Sequence, residues 1–160
     1  MTVKKHYEID FDCARTCRRW QECKFMPALL RAGITTYVHS HTTKLQGDYK
    51  NKVALDAAVT AMGGRVIGEG SHKLFSSTET GYAVQLPKWR YPIIARADGS
   101  IAYDHYNGAW GKQTDIDTLN GQYAMEAARC AAQTEGWMAE NLSDGRLQIY
   151  HPSGGTLTVA

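Results

Sequence analysis

Apolar residues recur at helical spacing in two stretches of the chain. Leu55, Ala58, Val59 and Met62 form one stripe, opened by Asn51 and stopped by Gly63-Gly64. Ile116, Leu119, Tyr123, Ala127, Cys130 and Ala131 form a longer stripe, on a helix predicted to begin at Thr114 and to close at Gly136. Asp117, three residues after Thr114, makes a short-armed capping box there. A further helix is expected near the N-terminus, capped by Asp12, running to about Arg31, kinked near Pro27 and stopped by Gly33.

Between the helices the pattern is that of strands. Residues 35–44 are β-branched and aromatic, and residues 65–68 and 81–86 are short strand-like runs separated by a polar loop over 70–80. Residues 93–97 and 100–106 flank Asp98-Gly99, a pair suited to a type I′ hairpin turn. A second hairpin is expected from residues 146–150 and 156–159, turned at Pro152-Ser153-Gly154-Gly155. Strands that follow one another without a helix from 81 to 106 argue for antiparallel pairing. The expected class is therefore α+β: a two-layer, largely antiparallel sheet with two amphipathic helices on one face, plus an N-terminal helical extension. Residues 1–36 are expected to form that extension and residues 37–160 the α+β core domain.

Composition narrows the setting without naming a function. With 160 residues, 43% apolar and 21% charged, the chain matches one globular domain. Its net charge of +2 carries no case for a polyanionic partner. The longest apolar runs, at 28–30 and 92–95, are far too short to cross a bilayer, and the first residues lack the apolar core of a signal peptide. The protein is expected to be cytoplasmic, with Cys13, Cys17, Cys23 and Cys130 as thiols or metal ligands rather than disulfides.

From residue 40 to 159 a series of short motifs follows in order. Ser40-His41-Thr42-Thr43 comes first, then Ala54-Leu55 ahead of Met62-Gly63, then Gly81-Tyr82. Tyr103-Asp104, Asn107-Gly108, Trp110-Gly111, Gln122-Tyr123-Ala124, Gly136 and the strand after Gly145 complete it. This stretch resembles a small family of unassigned function, the hypothetical chloroplast open reading frame thirty-five family. Its members occur in plastids and cyanobacteria, with relatives in tailed phages. The resemblance implies an α+β fold, and it admits a plastid stroma or a phage-infected host cytoplasm as the setting. It brings no activity and no catalytic residue.

Two runs combine aromatics, cations and turn residues. Lys88-Trp89-Arg90-Tyr91, between Pro87 and Pro92, can stack rings and neutralise anions. In residues 103–111, glycines permit a tight turn presenting Trp110 or Asn107 at the surface. On a strand, Asp104 and His105 point to opposite faces and cannot form an acid–base pair, while Tyr103 and His105 share one. The Cys13-x3-Cys17-x5-Cys23 spacing puts only the first two on one helical face, so no metal site is assigned. His39 and His41 would need a third ligand from elsewhere.

Phosphate-loop, dinucleotide-turn, nucleophile-elbow and zinc-helix signatures are all missing, and no cofactor is expected. The leading expectation is a small binding or accessory protein that engages a protein partner through Lys88, Trp89, Arg90, Tyr91, Tyr106, Asn107 and Trp110. One alternative is a nucleic-acid-binding accessory factor using Arg15, Arg18, Arg19, Lys88 and Arg90. Another is a small hydrolase or transferase using His105.

Overall fold

The structure is a computed structural model that describes residues 8–10, 34–39, 42–75 and 77–159, with side chains from 48 onward. The fold is α+β, and every strand pairing is antiparallel. Two compact units divide the chain: the strands before Asp48 with Ala124–Ala160, and Asp48–Tyr123.

In the first unit, strands β1 (Glu8–Asp10), β2 (Ile34–His39), β3 (Thr42–Gly47), β8 (Met138–Asn141), β9 (Leu147–Tyr150) and β10 (Thr156–Val159) form one sheet, ordered β2-β3-β1-β10-β9-β8. The single strand expected over 35–44 is thus two strands, paired from Ile34↔Gly47 to His39↔Thr42. Glu8–Asp10, inside the expected helical extension, is a strand between β3 and β10. The expected helix over 12–31 lies outside the described residues, as do Cys13, Cys17, Cys23 and His41. Leu147 and Ile149 on β9 lie beside Val159 and Leu157 on β10, and all four are buried. That period of two buries one face of the hairpin expected here from its turn residues. Strand β8 was not expected, because its side chains are mostly exposed on a sheet edge and carry no alternation.

In the second unit, β4 (Arg65–Lys73), β5 (Thr78–Gln85), β6 (Ile93–Ala95) and β7 (Ile101–Ala102) form a sheet in sequence order. Helix α1 (Lys52–Ala61) precedes it, with Asn51 as its N-cap accepting the Ala54 N–H at 3.0 Å. Leu55, Ala58 and Val59 of the expected stripe are fully buried there. Tyr82 of β5 donates its hydroxyl to both carboxylate oxygens of Asp56 on α1, at 2.8 and 3.0 Å. Burial and the Asp56 carboxylate push that phenol up to about 12.

Residues 70–80, expected as a polar loop, are instead the far end of a two-stranded ribbon, with Gly70↔Gly81, Ser71↔Thr80, His72↔Glu79 and Lys73↔Thr78 paired. The ribbon is polar on both sides, so backbone pairing holds it and no hydrophobic period marks it. The strand expected over 100–106 also differs. It ends at Ala102, and Asp104 accepts the Phe75 N–H at 2.8 Å, beyond any ladder pairing.

Helix α2 (Gln113–Thr134) contains the boundary between the units. Ile116, Leu119, Tyr123, Ala127 and Ala131 of its expected stripe are buried, and Cys130 is half-buried. The Tyr123 hydroxyl donates to the Asp48 carbonyl and accepts the Asn51 N–H, while its ring stacks on Tyr49 at 4.5 Å. One helical tyrosine therefore fixes the start of α1.

Three hairpins share one turn. Arg96, Leu142 and His151 each donate N–H to the residue four positions on, and each accepts from the glycine at the third loop position. Gly99, Gly145 and Gly154 hold φ of 85°, 84° and 88°. This is a three-residue loop closed by a left-handed glycine, in place of the type I′ turn expected at Asp98-Gly99. A type I′ turn needs positive φ at both residues, and only Gly99 has it. Asp98 and Asp144 each accept the N–H two residues on, at 2.9 and 3.1 Å. Hydrogen bonds from Ser100 and from Arg146 hold the two carboxyls below the usual carboxylate range.

Candidate binding site

The two aromatic runs meet within Asp48–Tyr123. Leu86-Pro87-Lys88-Trp89 is a tight turn, closed by the Trp89 N–H on the Leu86 carbonyl at 3.3 Å. Pro87 suits the second position of a type II turn, and the third position requires positive φ. Lys88 occupies it at 64°, where glycine or asparagine is usual. The Gln85 amide donates to the Trp89 carbonyl at 2.7 Å and secures the turn from the end of β5.

The second run forms a left-handed 3₁₀ turn at Tyr106–Gly108, with φ of 41° at Tyr106, 51° at Asn107 and 92° at Gly108. Among the described residues, Lys88, Tyr106 and Asn107 are the non-glycine residues at positive φ, so all of that strain falls in these two loops. Such positions cost on the order of 1–3 kcal/mol each and persist where surrounding contacts over-determine them. The Arg90 N–H donates to the Trp110 carbonyl at 2.9 Å and ties the loops together.

Trp110 is the hub of the surface they build. Its ring lies 4.6 Å from Tyr106, stacked at 22°, 4.7 Å from Phe75 and 5.3 Å from Tyr91, edge-on. The Arg90 guanidinium carbon stands 5.4 Å from the Trp110 ring and 5.7 Å from Tyr91. Phe75 and Tyr106 are 61% and 63% exposed, which makes the cluster an apolar face rather than a core.

Trp89 corrects the sequence reading. It was expected at the contact surface, but it is 6% exposed, donates its indole N–H to Asp115 at 2.9 Å and meets Tyr103 edge-on. The Gly111 backbone approaches its ring so closely that an added Cβ would sit 2.3 Å from it. Both features identify a structural anchor. Lys88, Arg90, Tyr106 and Asn107 are exposed, and Tyr91 and Trp110 are half-buried, consistent with a surface. Arg15, Arg18 and Arg19 lie outside the described residues.

His105 touches Tyr103 edge-on at 5.8 Å, and among the described residues no carboxylate or thiol hydrogen-bonds or pairs with it. No group of three His, Cys, Asp or Glu side chains suited to a metal occurs among the described residues. No helix among them is long and apolar enough to cross a membrane.

Phe75, on this aromatic face, and Arg65, which lines a groove with Lys88 and Arg90, were not picked out from sequence. Phe75 did leave a signal: it is the lone aromatic in the polar run 70–80. Arg65, directly after the glycines that end α1, left none. Family models, curated proteins and solved structures contain no match to the chain.

Proposed function

We propose that this is a small binding or accessory protein that engages a protein partner through the face built by Phe75, Tyr91, Tyr106, Trp110 and Arg90. One observation carries the reading: Tyr106 is held exposed, in a left-handed conformation, stacked on Trp110. Folding alone favours glycine at such a position, whereas a rigid exposed aromatic beside an arginine has the composition of interface hot spots. With Phe75 and Tyr106 each more than half exposed, a partner gains apolar area there at little ordering cost.

The test compares wild type with a Phe75→Ala/Tyr106→Ala double variant in affinity capture from the native host. A partner retained by wild type and lost by the double variant, with unchanged circular dichroism, supports the proposal. Equal capture by both proteins overturns it.

A further inference from the structure

Beside the aromatic face lies a shallow groove of about 460 Å³, lined by Gly63, Gly64, Arg65, Gln85, Lys88 and Arg90 among others. Its three cations are exposed, and none is ion-paired with a described carboxylate. Elsewhere in the same unit Lys50 pairs with Asp48, Lys52 with Glu69 and Arg96 with Glu79, while Lys73 and Lys112 have no ion pair with a described carboxylate. Three of the unit's five cations without an ion pair, Arg65, Lys88 and Arg90, therefore line one groove. Lys88 reaches it from the turn position where glycine would be less strained. Arg90 belongs to both features, since it lines the groove and stacks over Trp110. A guanidinium held over a ring without an ion pair still has N–H groups to offer a carboxylate.

We infer that the protein partner presents an acidic segment, whose carboxylates meet Arg65, Lys88 and Arg90 while a neighbouring aromatic or apolar side chain lies on Phe75 and Tyr106. The groove acts here as part of the contact face proposed above, and its role falls if that face binds no partner. A polypeptide fits better than a nucleic acid. Single strands bind by stacking bases on separately exposed rings along a cationic track. Here Phe75, Tyr91 and Tyr106 are all gathered onto Trp110, forming one apolar patch in place of a series of platforms. Asp104, bonded to the Phe75 N–H, also puts a carboxylate beside that patch, where a phosphate chain would be repelled. Anion attraction is thereby confined to the groove end.

The experiment pans the full chain against a displayed library of short random peptides. It uses wild type, an Arg65→Glu/Lys88→Glu variant and the Phe75→Ala/Tyr106→Ala variant, and measures an oligothymidine probe by fluorescence anisotropy in parallel. Wild type should enrich peptides with Asp or Glu next to Trp, Tyr or Phe, and charge reversal should weaken them by about tenfold or more at low salt. Enrichment without acidic excess, or untouched by charge reversal, overturns the acidic-segment assignment. The contact face itself survives that outcome if enrichment still depends on Phe75 and Tyr106. Enrichment by no protein, or equal enrichment by all three, overturns both. Oligothymidine binding that falls steeply with salt, without peptide enrichment, replaces the polypeptide with a nucleic acid. Arg65 and Lys88 are exposed and unpaired, and matching thermal melts verify that their variants are folded.

Discussion

Trp89 and Trp110 come from sequence neighbourhoods that look alike, each an aromatic run between turn residues, yet they have opposite fates. Trp89 is enclosed: its N–H is held by Asp115 and its ring lies against the bare backbone of Gly111. Trp110, one residue before that glycine, supports Phe75, Tyr91, Tyr106 and Arg90 on the outside of the same unit. The first tryptophan organises the loops and the second gathers what they display. A tryptophan's indole N–H must find a partner when buried, so a carboxylate at the right place separates the two roles. That carboxylate lies 26 residues away on α2, out of reach of local sequence reading.

The sharpest way to break the comparison is to remove the inner ring. Trp89→Ala deletes a buried indole and strands the Asp115 carboxylate, and it should cost about 3–5 kcal/mol. Urea unfolding followed by circular dichroism measures it. A loss below about 1 kcal/mol would mean that Trp89 is as peripheral as Trp110.

Gly111→Ala examines the same contact from the backbone side. A methyl group 2.3 Å from the indole forces ring or loop to move, with an expected cost of about 1–3 kcal/mol. Combined with Trp89→Ala, the added cost should largely vanish, because the two changes act on one contact. Full additivity would show that the methyl clashes with something else.

The outer cluster should respond in the reverse sense. Tyr106→Ala removes a solvent-side stack worth about 0.5–1.5 kcal/mol, and its left-handed backbone stays strained. Stability should fall by less than for either inner variant, while partner capture should fall more steeply.

The contrast also shows what could be read from the chain. Both helices, with Asn51 as a cap and the stripe from Ile116 to Ala131, were legible because burial on one face imposes the period of 3.6. The hairpins at Asp98-Gly99 and Pro152 to Gly155 were legible as hairpins but not as three-residue loops, since glycine is compatible with either turn. Strands without a buried face, 70–73 and β8, left no period. Of the proposed contact face, Lys88, Arg90, Tyr91, Tyr106 and Trp110 stood out in the sequence by composition, whereas Arg65 and Phe75 come beside them only through the pairing of β4 with β5.

The smallest effect is also the most discriminating. Lys88 sits at φ 64° without an ion pair among the described residues, so no salt bridge there repays the strain. Lys88→Gly releases roughly 1–2 kcal/mol of left-handed strain and gives back about 0.4–1 kcal/mol through the freer unfolded chain. The net is a stabilisation of about 0.5 kcal/mol, visible as a slightly raised urea midpoint. If the lysine is kept for a ligand, the same substitution should weaken capture of acidic peptides, and Lys88→Arg should preserve it. A more stable protein that binds less well separates a residue held for contact from one, like Trp89, held for the fold. Loss of stability in Lys88→Gly would mean that the lysine supports the turn, and the two loops would then differ less than their tryptophans suggest.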